Sequence, residues 1–130
     1  MAALGLAVSH DLELVVLRPF HVFGEGESAN RFWPSLREAA LKGTDFDMSP
    51  GELVRDFIRV ERVAEVFLEY CNTPRLLPKQ PVVKNLGTGS PQTLREFAEG
   101  WWHSFGAAGT LRFGATPYRA NEVMRYVPRI

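Results

Sequence analysis

The sequence predicts an α+β fold, a partial α/β arrangement of short strands with three main helices. Three observations carry that prediction. Leu53 to Val60 alternates, with Leu53, Arg55, Phe57 and Arg59 on one side and Val54, Asp56, Ile58 and Val60 on the other. From Val60 the spacing turns helical: Val60, Val63, Ala64, Phe67, Tyr70 and Cys71 form an apolar stripe, opposite Glu61, Arg62, Glu65 and Glu69. A strand that runs straight into an amphipathic helix fixes Arg55 and Asp56 on opposite faces near the junction. The third observation is a helix start, where Thr93 and Glu96 have the spacing of a capping box. It precedes the apolar face Leu94, Phe97, Ala98, Trp101, Trp102 and Phe105.

The remaining elements follow in chain order. Met1 to Ser9 reads as the end of a helix, broken by His10-Asp11. Leu12 to Phe23 is expected to be one buried strand centred on Val15, Val16 and Leu17, closed by Gly24-Glu25-Gly26. Asn30 is the expected N-cap of the next helix, with Pro34 tolerated in its first turn. Phe32, Trp33, Leu36, Ala39 and Ala40 give that helix its apolar face, and Gly43 ends it. Thr44 to Glu52 is turn-rich around Ser49-Pro50-Gly51, and Asn72 to Pro81 reads as a surface loop. A short strand at Val82 to Leu86 then leads into Gly87-Thr88-Gly89, and Phe113 to Pro128 is expected to be irregular.

Composition narrows the function. At 130 residues the chain is one domain's worth, able to bury roughly two-thirds of its unfolded surface. Fifteen basic residues balance fifteen acidic ones, which leaves no electrostatic case for nucleic acid or an anionic membrane. Twelve of the basic residues are arginine, a bias that suits bidentate phosphate recognition and equally reflects genome base composition. The single cysteine, Cys71, reads as a small buried hydrophobe in a reduced, cytoplasmic setting. Met1 to His10 lacks the basic start of a signal peptide, and no apolar stretch is long enough to span a membrane.

The motif V-R-D-F-I-x-V, followed by an apolar helix, resembles the substrate-lobe signature of the extended short-chain dehydrogenase/reductases. These form the NAD-dependent epimerase/dehydratase family of nucleotide-sugar enzymes. The resemblance implies that Arg55 binds a sugar nucleotide's diphosphate; the strand pattern alone fits a surface arginine in an ion pair more often. Leu17 to Glu25 resembles the family's L-R-x-x-N-V-Y-G-P strand, which ends at the sugar-nucleotide site. Arg18, Val22 and Gly24 match, while His21 replaces asparagine, Phe23 replaces tyrosine and Glu25 replaces proline. His21 therefore inherits a ligand contact, with a histidine capped by a backbone carbonyl as the equal alternative. The family places the helix after this loop beside the nucleotide base, so one of Phe32 and Trp33 is expected to flank the cleft.

N-L-G-T-G followed by T-L-R-E resembles the family's N-I-G-S-G turn, whose glycines hold no cofactor. A dinucleotide loop is rejected there, because no third glycine stands near position 92 and no acidic residue ends a second strand downstream. P-Y-R-x-x-E-V-M resembles the family's P-x-R-P-G-D/E stretch, with Ala120-Asn121 in place of proline-glycine. Arg119 is thus the second diphosphate candidate. Two planar guanidinium forks suit a diphosphate because each can bond a pair of oxygens. Glu122 is expected to hold Arg119 or to contact a ribose, the first being preferred.

The family's other half should carry G-x-x-G-x-x-G and a Tyr-x-x-x-Lys pair. Here the residues four before Lys42, Lys79 and Lys84 are Glu38, Arg75 and Gln80. The expectation is therefore a single substrate-binding lobe over residues 1–130, truncated at both ends relative to the family and without the Rossmann half. It would bind an NDP-hexose or deoxyhexose through Arg55, Arg119, His21, Arg18 and Glu122, with no catalytic residue. The chain alone would bind no cofactor, NAD(P) belonging to the full-length enzyme. His10, His21 and His103 lack metal-ligand spacing, and Cys71 has no indicated base. The expected partner is a second copy or a separate Rossmann half. The alternative is a non-catalytic interaction module acting through a protein partner or as a homodimer.

Overall fold

A computed structural model of the chain describes residues 2–72 and 77–130. Helix α1 spans Ala2–Ser9, followed by strands β1 (Val15–Pro19) and β2 (Val22–Phe23). Helix α2 (Phe32–Lys42) precedes β3 (Phe46–Met48), β4 (Val54–Arg55) and β5 (Ile58–Arg59), and β5 runs directly into α3 (Val60–Asn72). Then come β6 (Val82–Leu86), β7 (Gln92–Thr93), α4 (Leu94–Ser104), β8 (Leu111–Phe113) and β9 (Arg125–Tyr126). The mixture is α+β as expected, with α1 as a fourth, short helix. None of the described helices is long and apolar enough to cross a membrane.

Most pairings are parallel and join distant segments. β1 pairs with β6 from Val15 opposite Val82 to Pro19 opposite Leu86, β2 with β5, and β3 with β8. β4 is central in its own sheet, antiparallel to β7 and parallel to β9. The expected single strand from Leu12 to Phe23 is instead two strands that serve different partners. The break is at His21, whose φ of 30° is outside the β region. The alternating run from Leu53 is likewise two two-residue strands, and Arg55, Asp56, Phe57 and Ile58 are buried in succession. Its middle is enclosed on both sides, while Arg59 and Val60 at its end are exposed.

Further expectations are corrected. Thr44 to Glu52 is not only turns, because Phe46–Met48 forms β3 against β8; a three-residue strand shows almost no alternation. The N-cap of α2 is Arg31, in extended conformation and without a side-chain cap, not Asn30. On α3 the buried line is Val63, Val66 and Tyr70, packed with Ile58 and Leu86. Val60, Ala64, Phe67 and Cys71 face outward, so Cys71 is exposed and not a core hydrophobe. Of the expected loop Asn72 to Pro81, Asn72 still belongs to α3 and residues 73–76 lie outside the described ones. Leu77 to Gln80 forms a tight turn whose Lys79 pairs with Asp11 at 3.0 Å.

The helix ends follow their sequence signals. Gly43 adopts the left-handed conformation at φ 69° and returns its N–H to Ala40, with Thr44 N–H to Ala39, which closes α2. Thr93 and Glu96 form the capping box of α4, each side chain taking the other's backbone N–H. Between α2 and α4 lies an aromatic core of Phe23, Trp33, Phe57 and Phe97. Phe57 stacks on Phe97 at 3.9 Å, and Phe23 meets Phe97 edge-on at 4.9 Å. A second cluster, Leu36, Met48 and Ala98, ties α2 and α4 to β3. These contacts fix β2 and Phe57, at the β4–β5 junction, against a cleft.

Candidate functional site

A cavity of about 470 Å³ opens between the ends of β2 and β4, the start of α2 and the segment after β8. It brings together four of the five residues singled out in the sequence: His21, Arg55, Arg119 and Glu122. Arg18 is not among its lining residues; it is exposed on β1, opposite Asn85 in the register. Phe32 and Trp33 both line the cavity, Trp33 mostly from within the core. A second cavity, of about 430 Å³, adjoins the first and shares Arg55, Arg119 and Glu122 with it.

Arg55 is held by β4, which β7 and β9 flank, and the residue is 9% exposed. Its guanidinium donates to the Val54 carbonyl at 2.9 Å and to the Val123 carbonyl at 2.7 Å. Those bonds use two of its five donors. Arg119 lines the same cavity, exposed, without an ion pair or side-chain hydrogen bond among the described residues. Glu122 does not hold Arg119 as expected. Its backbone N–H closes a turn on the Arg119 carbonyl, and its carboxylate faces Arg55 at 3.9 Å. Asn121 in that turn is left-handed, at φ 63°.

His21 occupies the break between β1 and β2. Its carbonyl accepts the Ile58 N–H at 3.2 Å, and its ring stands edge-on against Phe57 at 4.7 Å. Although the residue as a whole is exposed, burial of the ring, and then the charges of Arg55 and Arg31, push its pKa down to about 4. At neutral pH it is therefore a neutral imidazole, able to donate from one nitrogen and accept at the other.

Residues that the sequence reading left out complete the lining. Arg31 pairs with Glu27 at 3.7 Å beside α2. Tyr118 accepts the Glu52 N–H at 2.9 Å and so anchors the segment that carries Arg119. Tyr118 stood within the P-Y-R motif, but nothing in the sequence tied it to Glu52. The chemistry on offer is recognition of an anion by arginines, beside the carboxylates of Glu27 and Glu122 and the neutral groups of His21 and Tyr118.

The turn Gly87-Thr88-Gly89 offers no cradle for a dinucleotide phosphate. Its amides are already taken, Thr88 N–H bonding Asp56 at 2.9 Å and Gly89 N–H at 2.8 Å. Among the described residues no group of three His, Cys, Asp or Glu side chains could hold a metal ion.

The chain has known relatives, and its fold has counterparts. The chain is 30% identical over 118 residues to CDP-abequose synthase of Salmonella typhimurium, which covers 88% of this chain and 39% of that protein. Its fold matches that of a UDP-N-acetylglucosamine 4-epimerase from Methanobrevibacter ruminantium, solved with UDP-N-acetylmuramic acid. There the TM-score is 0.83 at 22% identity, over 99% of this chain and 41% of that one. It also matches a UDP-glucose 4-epimerase from Thermotoga maritima, solved with UDP-glucose, with a TM-score of 0.79 at 22% identity over 96% of this chain and 40% of that one. The chain thus spans about two-fifths of the length of these relatives. Residues 2–87 match the NAD dependent epimerase/dehydratase family, and the chain belongs to that family.

Proposed function

We propose that residues 1–130 form a single substrate-binding lobe that takes the diphosphate of an NDP-hexose or NDP-deoxyhexose between Arg55 and Arg119. The observation that carries this reading is one cavity wall with a buried, preorganised arginine and an unneutralised one. Two guanidinium groups can each bond a pair of diphosphate oxygens, and a bidentate fork loses little freedom in doing so. His21 then offers a neutral contact to a sugar hydroxyl. The lobe is not catalytic alone, and NAD is held by the nucleotide-binding half of a family enzyme. That assignment is supported by the committed amides of the Gly87–Gly89 turn and by the sequence's lack of a Tyr-x-x-x-Lys pair.

Calorimetric titration with nucleoside diphosphates tests the reading. Arg55→Ala and Arg119→Ala are each expected to cost about 1.5–3 kcal/mol of binding, less where the contact stays hydrated. Lysine at either position is expected to restore little, because it lacks the planar fork. Unchanged affinity in both alanine variants overturns the assignment. Micromolar binding of NAD(H) by this chain overturns the division of labour.

A second reading, an interaction module, is favoured by a separate observation. α1 is apolar all round, yet Leu6 and Val8 are 52% and 47% exposed, and on α3 Phe67 and Leu68 are 47% and 61% exposed. A helix apolar on every side is normally covered. The two readings are compatible, since these faces lie outside the lining of the Arg55 cavity.

A further inference from the structure

The Arg55–Glu122 pair is too loose to be a fixed structural ion pair. At 3.9 Å it is about 1 Å longer than a charge-assisted hydrogen bond. The hydrogen bonds of Arg55 go instead to two backbone carbonyls, so Glu122 contributes charge without a bond to Arg55. Among the described residues its carboxylate accepts no hydrogen bond, and its side chain is 24% exposed, which leaves it a path outward. Arg55, Arg119 and Glu122 together form the partition between two adjoining cavities. Any diphosphate that reaches both arginines must enter the space next to this carboxylate, where like charges repel.

We propose that Glu122 is a displaceable anionic placeholder, which neutralises Arg55 until a ligand diphosphate pushes its carboxylate aside. The proposal rests on the diphosphate reading of the two arginines and adds a selection rule to it. A ligand with one anionic group gains Arg119 but must still compete with Glu122 for Arg55. A diphosphate engages both arginines at once and offsets the displacement. Glu122 thereby screens out small monoanions and favours ligands whose two phosphates span the partition.

The test titrates inorganic pyrophosphate and UDP against the unmodified chain, Glu122→Gln and Glu122→Ala, with folding checked by circular dichroism. Glutamine keeps the shape and removes the charge; alanine removes both. The expected result is that both variants bind pyrophosphate about three- to tenfold more tightly than the unmodified chain. Unchanged pyrophosphate affinity, or binding of pyrophosphate by none of the three proteins, overturns the proposal. Weaker UDP binding with unchanged pyrophosphate binding also overturns it, because Glu122 would then be bonding a ribose. Arg119→Ala separates the two levels of inference. If that change abolishes UDP binding while Glu122→Gln tightens nothing, the diphosphate site stands and the placeholder falls. If Arg119→Ala leaves UDP binding intact, the diphosphate site itself is wrong.

Discussion

His21 illustrates how one residue can be noticed in a sequence and still be misjudged. It drew attention as a histidine where the resembled strand carries asparagine. Its left-handed backbone is missed when Leu12 to Phe23 is read as one strand across Pro19, the breaker two residues before His21. The environment that lowers its pKa to about 4 depends on Phe57, Arg55 and Arg31, which only the fold assembles. The depressed value sets a sign. As pH falls from about 6.5 to about 4, the unfolded chain takes up a proton at this imidazole and the folded chain does not. The stability linked to His21 is therefore complete above the unfolded pKa and is lost across that window. Urea midpoints measured through this range are expected to fall less steeply in His21→Asn than in the unmodified chain. Equal slopes would show that the imidazole is not desolvated by its surroundings.

At the scale of elements, the helices and the strand Val82 to Leu86 were legible, and the two- and three-residue strands were not. α2 and α4 carry their stop and start signals within a few residues, at Gly43 and at Thr93 with Glu96. β3 and β8 owe their existence to each other across the chain. Asp56 shows the same limit. Its position in V-R-D was clear, but its partners were not. It is buried, and its carboxylate accepts the backbone N–H groups of Thr88 and Gly89 and the Thr88 hydroxyl. This clamps the β4–β5 junction to the turn after β6. Gly87 permits the approach, since a Cβ there would lie 2.6 Å from the Asp56 carboxylate. Asp56→Asn turns one acceptor oxygen into a donor facing a donor. It is expected to destabilise the fold by about 1.5–3 kcal/mol in urea denaturation. A midpoint unchanged within error would mean that the turn holds itself.

The molecule as a whole leaves much apolar surface open. Among the described residues β1 has a strand on one side only, and it pairs in parallel, a geometry that usually sits between two covering layers. The V-V-L run of β1 reads as an interior strand in the sequence, but Val15, Val16 and Leu17 are only half-buried here and Arg18 and Pro19 are exposed. Which face lacked its cover could not be read there, because Phe67 and Cys71 have the same spacing whether or not a neighbour packs on them. An apolar strand with an open edge recruits another chain. Sedimentation equilibrium over the micromolar range is therefore expected to show association that grows with concentration. Introducing charge at Phe67 or Leu68 should reduce it. A monomer with cooperative unfolding throughout that range would show that β1 and α3 need no cover.

The pairing of β1 with β6 also governs the order in which the chain can acquire structure. As it leaves the ribosome, Val15 to Pro19 emerges long before Val82 to Leu86, and β3 likewise waits for Leu111 to Phe113. Only β2 and β5 can meet early. Contacts so far apart in sequence form slowly, and unpaired apolar strands are exposed to aggregation meanwhile. Until the second half of the chain has been made, β1 and β3 therefore lack the strands that pair with them.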